Sequence, residues 1–142
     1  MGAIAYDAAT GTRSEVSSTS MSVTHTAAGA NRAAVLYSSS NGNLSSSATY
    51  DGTTMASEVE LTSVGNYEQD IRGLIAPSTT ASATVTTNWA ASVSGKAMCV
   101  ITFSGANQTD AFGATATIDA DFTSPITLSI TTTTANSIVA FF

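Results

Sequence analysis

Positive charge is almost missing from this sequence. Only Arg13, Arg32, Arg72 and Lys96 are basic, against 10 acidic residues, giving a formal net charge of -6. They are scattered, and a phosphate backbone needs clustered Lys and Arg, so direct nucleic-acid binding is not expected. An anionic membrane surface is disfavoured on the same ground. Histidine occurs once, as His25, so any Ser–His–Asp arrangement must run through it. Cysteine also occurs once, as Cys99, which excludes an internal disulfide. It lies in the apolar run AMCVITF and reads as a small core residue, with no His or Cys at metal-ligand spacing. No run of 18 apolar residues occurs, so no helical membrane span is expected. The start, MGAIAYDAATG, lacks a basic region and a long apolar stretch and is not read as a secretory signal. A protein made without one can still leave its cell inside a virus particle.

Charge of either sign is scarce. Charged residues are 10% of the chain, against about 25% in ordinary soluble domains. Ser and Thr fill the gap, at about a third of the 142 residues. A polar but nearly uncharged surface suits a chain packed into an assembly or working outside a cell, and equally a composition bias of its source. The length suits one domain spanning 1–142 with one sizeable core.

No segment reads as a long amphipathic helix. Short runs rich in Val, Ile, Thr, Tyr and Phe are separated by Gly, Asn, Ser and Pro, which is the pattern of an all-β, antiparallel two-sheet sandwich. Strands are expected near 3–7, 19–26, 33–38, 46–50, 58–62, 68–75, 82–88, 97–104, 113–118, 126–132 and 137–142. In SMSVTHT, Met21, Val23 and His25 share one face. SATVTTNW and PITLSIT alternate in the same way, while AAVLY and AMCVITF are apolar throughout and read as central strands covered on both sides. VGNYEQDIRGL also has helical spacing, at Tyr67, Ile71 and Leu74, but leads into LIAP and reads as a strand. Asn41-Gly42 and Asp51-Gly52 mark tight hairpins, and Pro77 ends the strand before it.

The search for chemistry gives little. No G-x-S-x-G elbow accompanies His25, which reads as a core or interface residue. Carboxylates pair at i, i+2 in Glu58/Glu60, Glu68/Asp70 and Asp119/Asp121. Such pairs could serve glycoside hydrolysis or Ca²⁺, but without a D-x-D-x-D-G loop a solvated strand edge is the plainer reading. Tyr67 and Trp89 are the candidates for a sugar-stacking platform, with core packing as the alternative. Arg32 could pin a loop or make a structural ion pair. No phosphate loop, metal cluster or cofactor fingerprint is present, so no cofactor is expected.

Five stretches carry a resemblance: THTAAGANRAAVLY (24–37), SATYDGTTMA (47–56), IRGLIAPSTTASATVT (71–86), AMCVITFSGANQTDAFGATAT (97–117) and SPITLSITTTTANSIVAFF (124–142). Together the chain resembles a jelly-roll-type β-sandwich module of tailed-phage virion proteins and bacterial surface proteins. Gly29, Asn31 and Arg32 match its first corner, Tyr50 and Gly52 the second, and Pro77 the third. Phe103, Ser104, Gly105, Gln108 and Thr109 match the fourth, and Asn136 and Ser137 the last turn. The resemblance implies structural corners without a catalytic role. It also implies that family members continue past this last strand, so that either the sandwich closes with fewer strands or a neighbouring subunit supplies an edge. The function expected is a non-enzymatic capsid decoration (cement) or head-fibre subunit on the virion surface. It would contact the major capsid protein, other virion proteins or copies of itself, with a trimer as one form. The alternatives are a carbohydrate- or receptor-binding module of a phage tail or cell surface, and a self-polymerising extracellular fibre subunit.

Overall fold

The computed structural model describes residues 3–64, 67–78, 82–116, 129–132 and 137–140. Among the described residues nine strands form: β1 (Ala5–Ser14), β2 (Ser18–His25), β3 (Ala33–Asn41), β4 (Ser45–Tyr50), β5 (Thr53–Thr54), β6 (Ala56–Val64), β7 (Tyr67–Ile75), β8 (Ala83–Val93) and β9 (Lys96–Ser104). No helix occurs among the described residues. One sheet has the order β1-β9-β3-β7-β6 and the other β2-β8-β4-β5. Every pairing is antiparallel.

The pairs β1–β9, β2–β8, β3–β7 and β4–β5 are those of one long hairpin. Rolling it around the core brings β3 beside β9 and β4 beside β8. That is a jelly roll, with β6 added outside β7. Two-residue alternation decides what faces inward. Ala34 and Leu36 on β3, Ala83, Val85 and Trp89 on β8, and Met98 and Val100 on β9 interleave between the sheets. Each large aliphatic side chain so buried contributes roughly 1.5–3 kcal/mol.

The uniformly apolar strands hide the same alternation. On β9, Met98 and Val100 face the core, while Cys99 and Ile101 face outward and are half-buried. Ile101 lies in register beside Val35 and then Gly73; Cys99 lies beside Tyr37 and then Ile71. β3 and β9 are interior strands as expected, but their outer face is only half-buried, save where Ala33 pairs with Phe103. Cys99 is therefore not a residue of the inter-sheet core. Burial pushes its thiol up, which lowers its reactivity. Gly73 is bare because the Phe112 ring lies against it: an added Cβ would stand 2.6 Å from a ring carbon.

Three expected strands are not seen where the chain is described. Residues 113–116, 129–132 and 137–140 have no strand pairing, and the remainder of those segments, with Asn136, Asp119 and Asp121, lies outside the described residues. Alternation gives a chain two faces, but a strand also needs a partner ladder for its N–H and C=O groups. β1 and β8 run longer than expected, and β5 was not anticipated.

Candidate functional site

The polar residues singled out in the sequence gather at one end of the sandwich. Asn31 has φ 51 and turns the chain into β3. The Arg32 carbonyl accepts from Ala76 N at 3.0 Å and from Gln108 Nε2 at 3.1 Å. Gly105 N donates to Ala30 O at 3.0 Å, and Ala106 N to Asn31 O at 2.8 Å. Pro77 is buried directly after Ala76. Asn31, Arg32, Pro77, Gly105 and Gln108 thus form one hydrogen-bonded corner. Asn107 Oδ1 accepts from both Thr109 N and Thr109 Oγ1, so the polar side chains after β9 satisfy turn groups. Gly52 stands apart, at φ 80 in the two-residue turn from β4 to β5, with open space around it.

Gly105 is required at its place. Its φ is +72, and an added Cβ would meet the Ala3 carbonyl oxygen at 2.5 Å. A left-handed conformation alone costs an L-residue roughly 1–2 kcal/mol. Gly105→Ala is expected to lose at least that much in urea unfolding, because the clash is with backbone. A loss below half a kcal/mol would show that the corner adjusts freely.

Arg32 is buried and donates Nη1 to Ala27 O at 2.8 Å, so it pins the loop through a carbonyl. Just inside lies His25, 0% exposed. Its Nδ1 is 2.8 Å from Thr10 Oγ1, and its Nε2 is 3.1 Å from Thr102 Oγ1. Thr102 Oγ1 in turn donates to Asp7 Oδ2 at 3.5 Å. The Asp7 carboxylate also accepts from Ala28 N and Gly29 N. Tyr50 meets the imidazole edge-on with ring centroids 6.0 Å apart. Burial lowers the His25 pKa, Asp7 opposes that shift, and Arg32 adds to it. A hydroxyl, an imidazole and an acid are thus connected, but the ring presents no edge to solvent. As built, the group ties the two sheets together.

A second polar group closes the interior further along. Arg72 and Asp70 alternate inward on β7, where Nε meets Oδ2 at 2.6 Å. Arg72 also donates to Ser45 Oγ at 3.1 Å and to Ser45 O at 2.9 Å, and Ser45 Oγ donates to Asp70 Oδ2. Asp70 Oδ1 is buried without a hydrogen-bond partner. The expectation of a solvated edge for Glu68/Asp70 fails at Asp70, because Arg72 two residues on shares its inward face. Sequence reasoning missed this pair. The available signal was opposite charges at i, i+2 inside the apolar run DIRGLI.

The proposed aromatic platform does not form. Trp89 is 3% exposed and packs in the core, while Tyr67 at the start of β7 is 52% exposed. Lys96, also missed, is buried with Nζ 5.9 Å from the Trp89 ring centroid. Its ammonium is held by the carbonyls of Val16 at 2.5 Å and Val93 at 3.0 Å. Elsewhere, an open groove of about 290 Å³ is lined by Ala56, Glu58, Gly73, Leu74, Ile75 and Phe112, with Thr54 at its rim. Burial raises the Glu58 pKa there, but no second titratable group lines the groove. No group of three or more metal-ligating side chains occurs among the described residues.

No protein-family model fits this chain, and neither the curated proteins nor the solved structures give a counterpart.

Proposed function

We propose that this chain is a non-enzymatic structural subunit of a tailed-phage particle, a capsid decoration or head-fibre protein that acts by being held against its neighbours. The observation that carries this reading is the use made of the reactive side chains. His25, Arg32, Asp70, Arg72 and Lys96 are all buried, and each hydrogen-bonds within the sandwich. What remains outside is a surface rich in Ser and Thr, suited to wet, repeated polar contacts. The partners would be the major capsid protein or other virion proteins, together with copies of the chain around a three-fold axis. Many copies of modest affinity would secure the particle jointly. Jelly rolls serve as capsid domains and also as lectins, so the fold alone does not choose. Burial of Trp89 weighs against the carbohydrate-binding alternative.

The test is sedimentation of particles from a culture that produces the protein, with the chain quantified by mass spectrometry in each fraction. Co-sedimentation with DNA-filled heads, at a fixed ratio to the major capsid protein, is the expected result. Recovery only in the soluble fraction, or only with detached tails, would overturn the proposal.

A further inference from the structure

We propose that His25 is an acid-responsive clamp holding β1 against the rest of the sandwich, and that proton uptake by its ring frees β1 while the other strands stay folded. The ring lies between the sheets. It belongs to β2 of the four-stranded sheet and bonds Thr10 of β1 and Thr102 of β9 in the five-stranded sheet.

The hydrogen-bond chain assigns the neutral state. Thr102 gives its hydroxyl hydrogen to Asp7, so it accepts from Nε2–H. Nδ1 then accepts from the Thr10 hydroxyl. A proton added at Nδ1 makes that nitrogen a donor, and Thr10 must turn its own hydrogen away. The new charge would sit on a ring that is 0% exposed. The charged and titratable groups facing it are Asp7 from β1, Arg32 from the loop before β3, and Tyr50 from β4. Asp7 already accepts from two backbone N–H groups, and Arg32 repels the added charge. The proton is therefore taken up where water reaches the ring.

The element that gives way is set by burial. β1 contains no fully buried residue in its ten, whereas β2, β4 and β9 each do. Among the described residues it pairs only with β9, and its register shifts between Tyr6 and Ala8. A strand with so little burial is a low-stability unit that opens before the core. Its departure uncovers the Thr10 side of the imidazole.

The sign follows from linkage. The closed form holds His25 below its ordinary value of 6.5, and the open form restores that value. Opening is then insensitive to pH above about 6.5, and its equilibrium constant grows by up to about tenfold per pH unit below it. The test is amide hydrogen exchange of the whole chain by NMR from pH 7.5 to 5, corrected for intrinsic rates. Protection of β1 amides should be lower than that of β3 and β8 amides at pH 7.5 and fall by up to about tenfold per unit below pH 6.5; β3 and β8 amides, which open only when the whole sandwich and with it His25 comes apart, should fall in step from a higher level. His25→Gln, if folded, should abolish that pH dependence. Equal protection of β1 and β3 amides at pH 7.5, unchanged protection in β1 on acidification, or a His25→Gln chain with the same pH profile would each overturn the proposal. The wild-type profile decides even if the variant fails to fold.

Discussion

Replacing Arg72 by Met is expected to destabilise the sandwich by about 3–5 kcal/mol, the usual effect of removing one partner of a buried ion pair. Total stability of a domain is only about 5–15 kcal/mol, so much of it would go. The guanidinium does two things at once. It neutralises Asp70 at 2.6 Å, and through Ser45 it reaches β4 in the opposite sheet. Without it, the Asp70 carboxylate stays buried with only the Ser45 hydroxyl on Oδ2 and no partner on Oδ1. Adding Asp70→Leu to the Met variant should recover most of the loss, since an apolar pair of similar volume removes the stranded charge. Urea denaturation with an unchanged m-value reads both effects. A single-variant loss below about 1 kcal/mol, of the size seen for exposed pairs, would mean that water reaches the carboxylate.

Trp89→Ala is expected to cost about 3–5 kcal/mol, the range for deleting a buried aromatic side chain. The ring lies on the inner face of β8 and supports the ammonium of Lys96. Its removal opens a cavity and takes the aromatic face from a buried cation that the Val16 and Val93 carbonyls still hold. Trp89→Phe keeps an aromatic face and should lose distinctly less. Circular dichroism melts compare the variants, because the chain has a single tryptophan and its fluorescence disappears with the mutation. A near-neutral Trp89→Ala would indicate a solvated ring and restore it as a ligand contact.

The sequence made strands legible where one face is polar. β2 reads directly from SMSVTHT, and the tight turn after β4 reads from Asp51-Gly52, whose φ values are 49 and 80. Cys99 was misplaced because both faces of β9 are apolar, so hydrophobicity alone cannot say which side meets the other sheet. β1 was cut short because AATGTRS has small and polar residues typical of an edge. Asn31, Arg32, Pro77, Gly105 and Gln108 were marked as separate corners, but their meeting was not legible, because the contacts that join them run through the Ala30, Asn31 and Arg32 carbonyls and leave no trace in side-chain pattern. Asp70 and Lys96 were hidden for a related reason. A charge is assigned to the surface by default, and only register reveals the partner that lets it stay inside.

The rolled hairpin also sets an order of events as the polypeptide is made. β1 and β2 emerge first, yet their ladders are completed by β9 and β8, the last strands described. Neither N-terminal strand can acquire its neighbours until Ala83–Ser104 has left the ribosome. Until then only the short-range ribbons β4–β5 and β6–β7 have both halves present in immediate succession. Closure over such long chain separations is slow, on the order of milliseconds to seconds for β-rich domains. The nascent N-terminal half therefore waits with its backbone edges uncovered, and is the part most in need of protection from sticking to other chains.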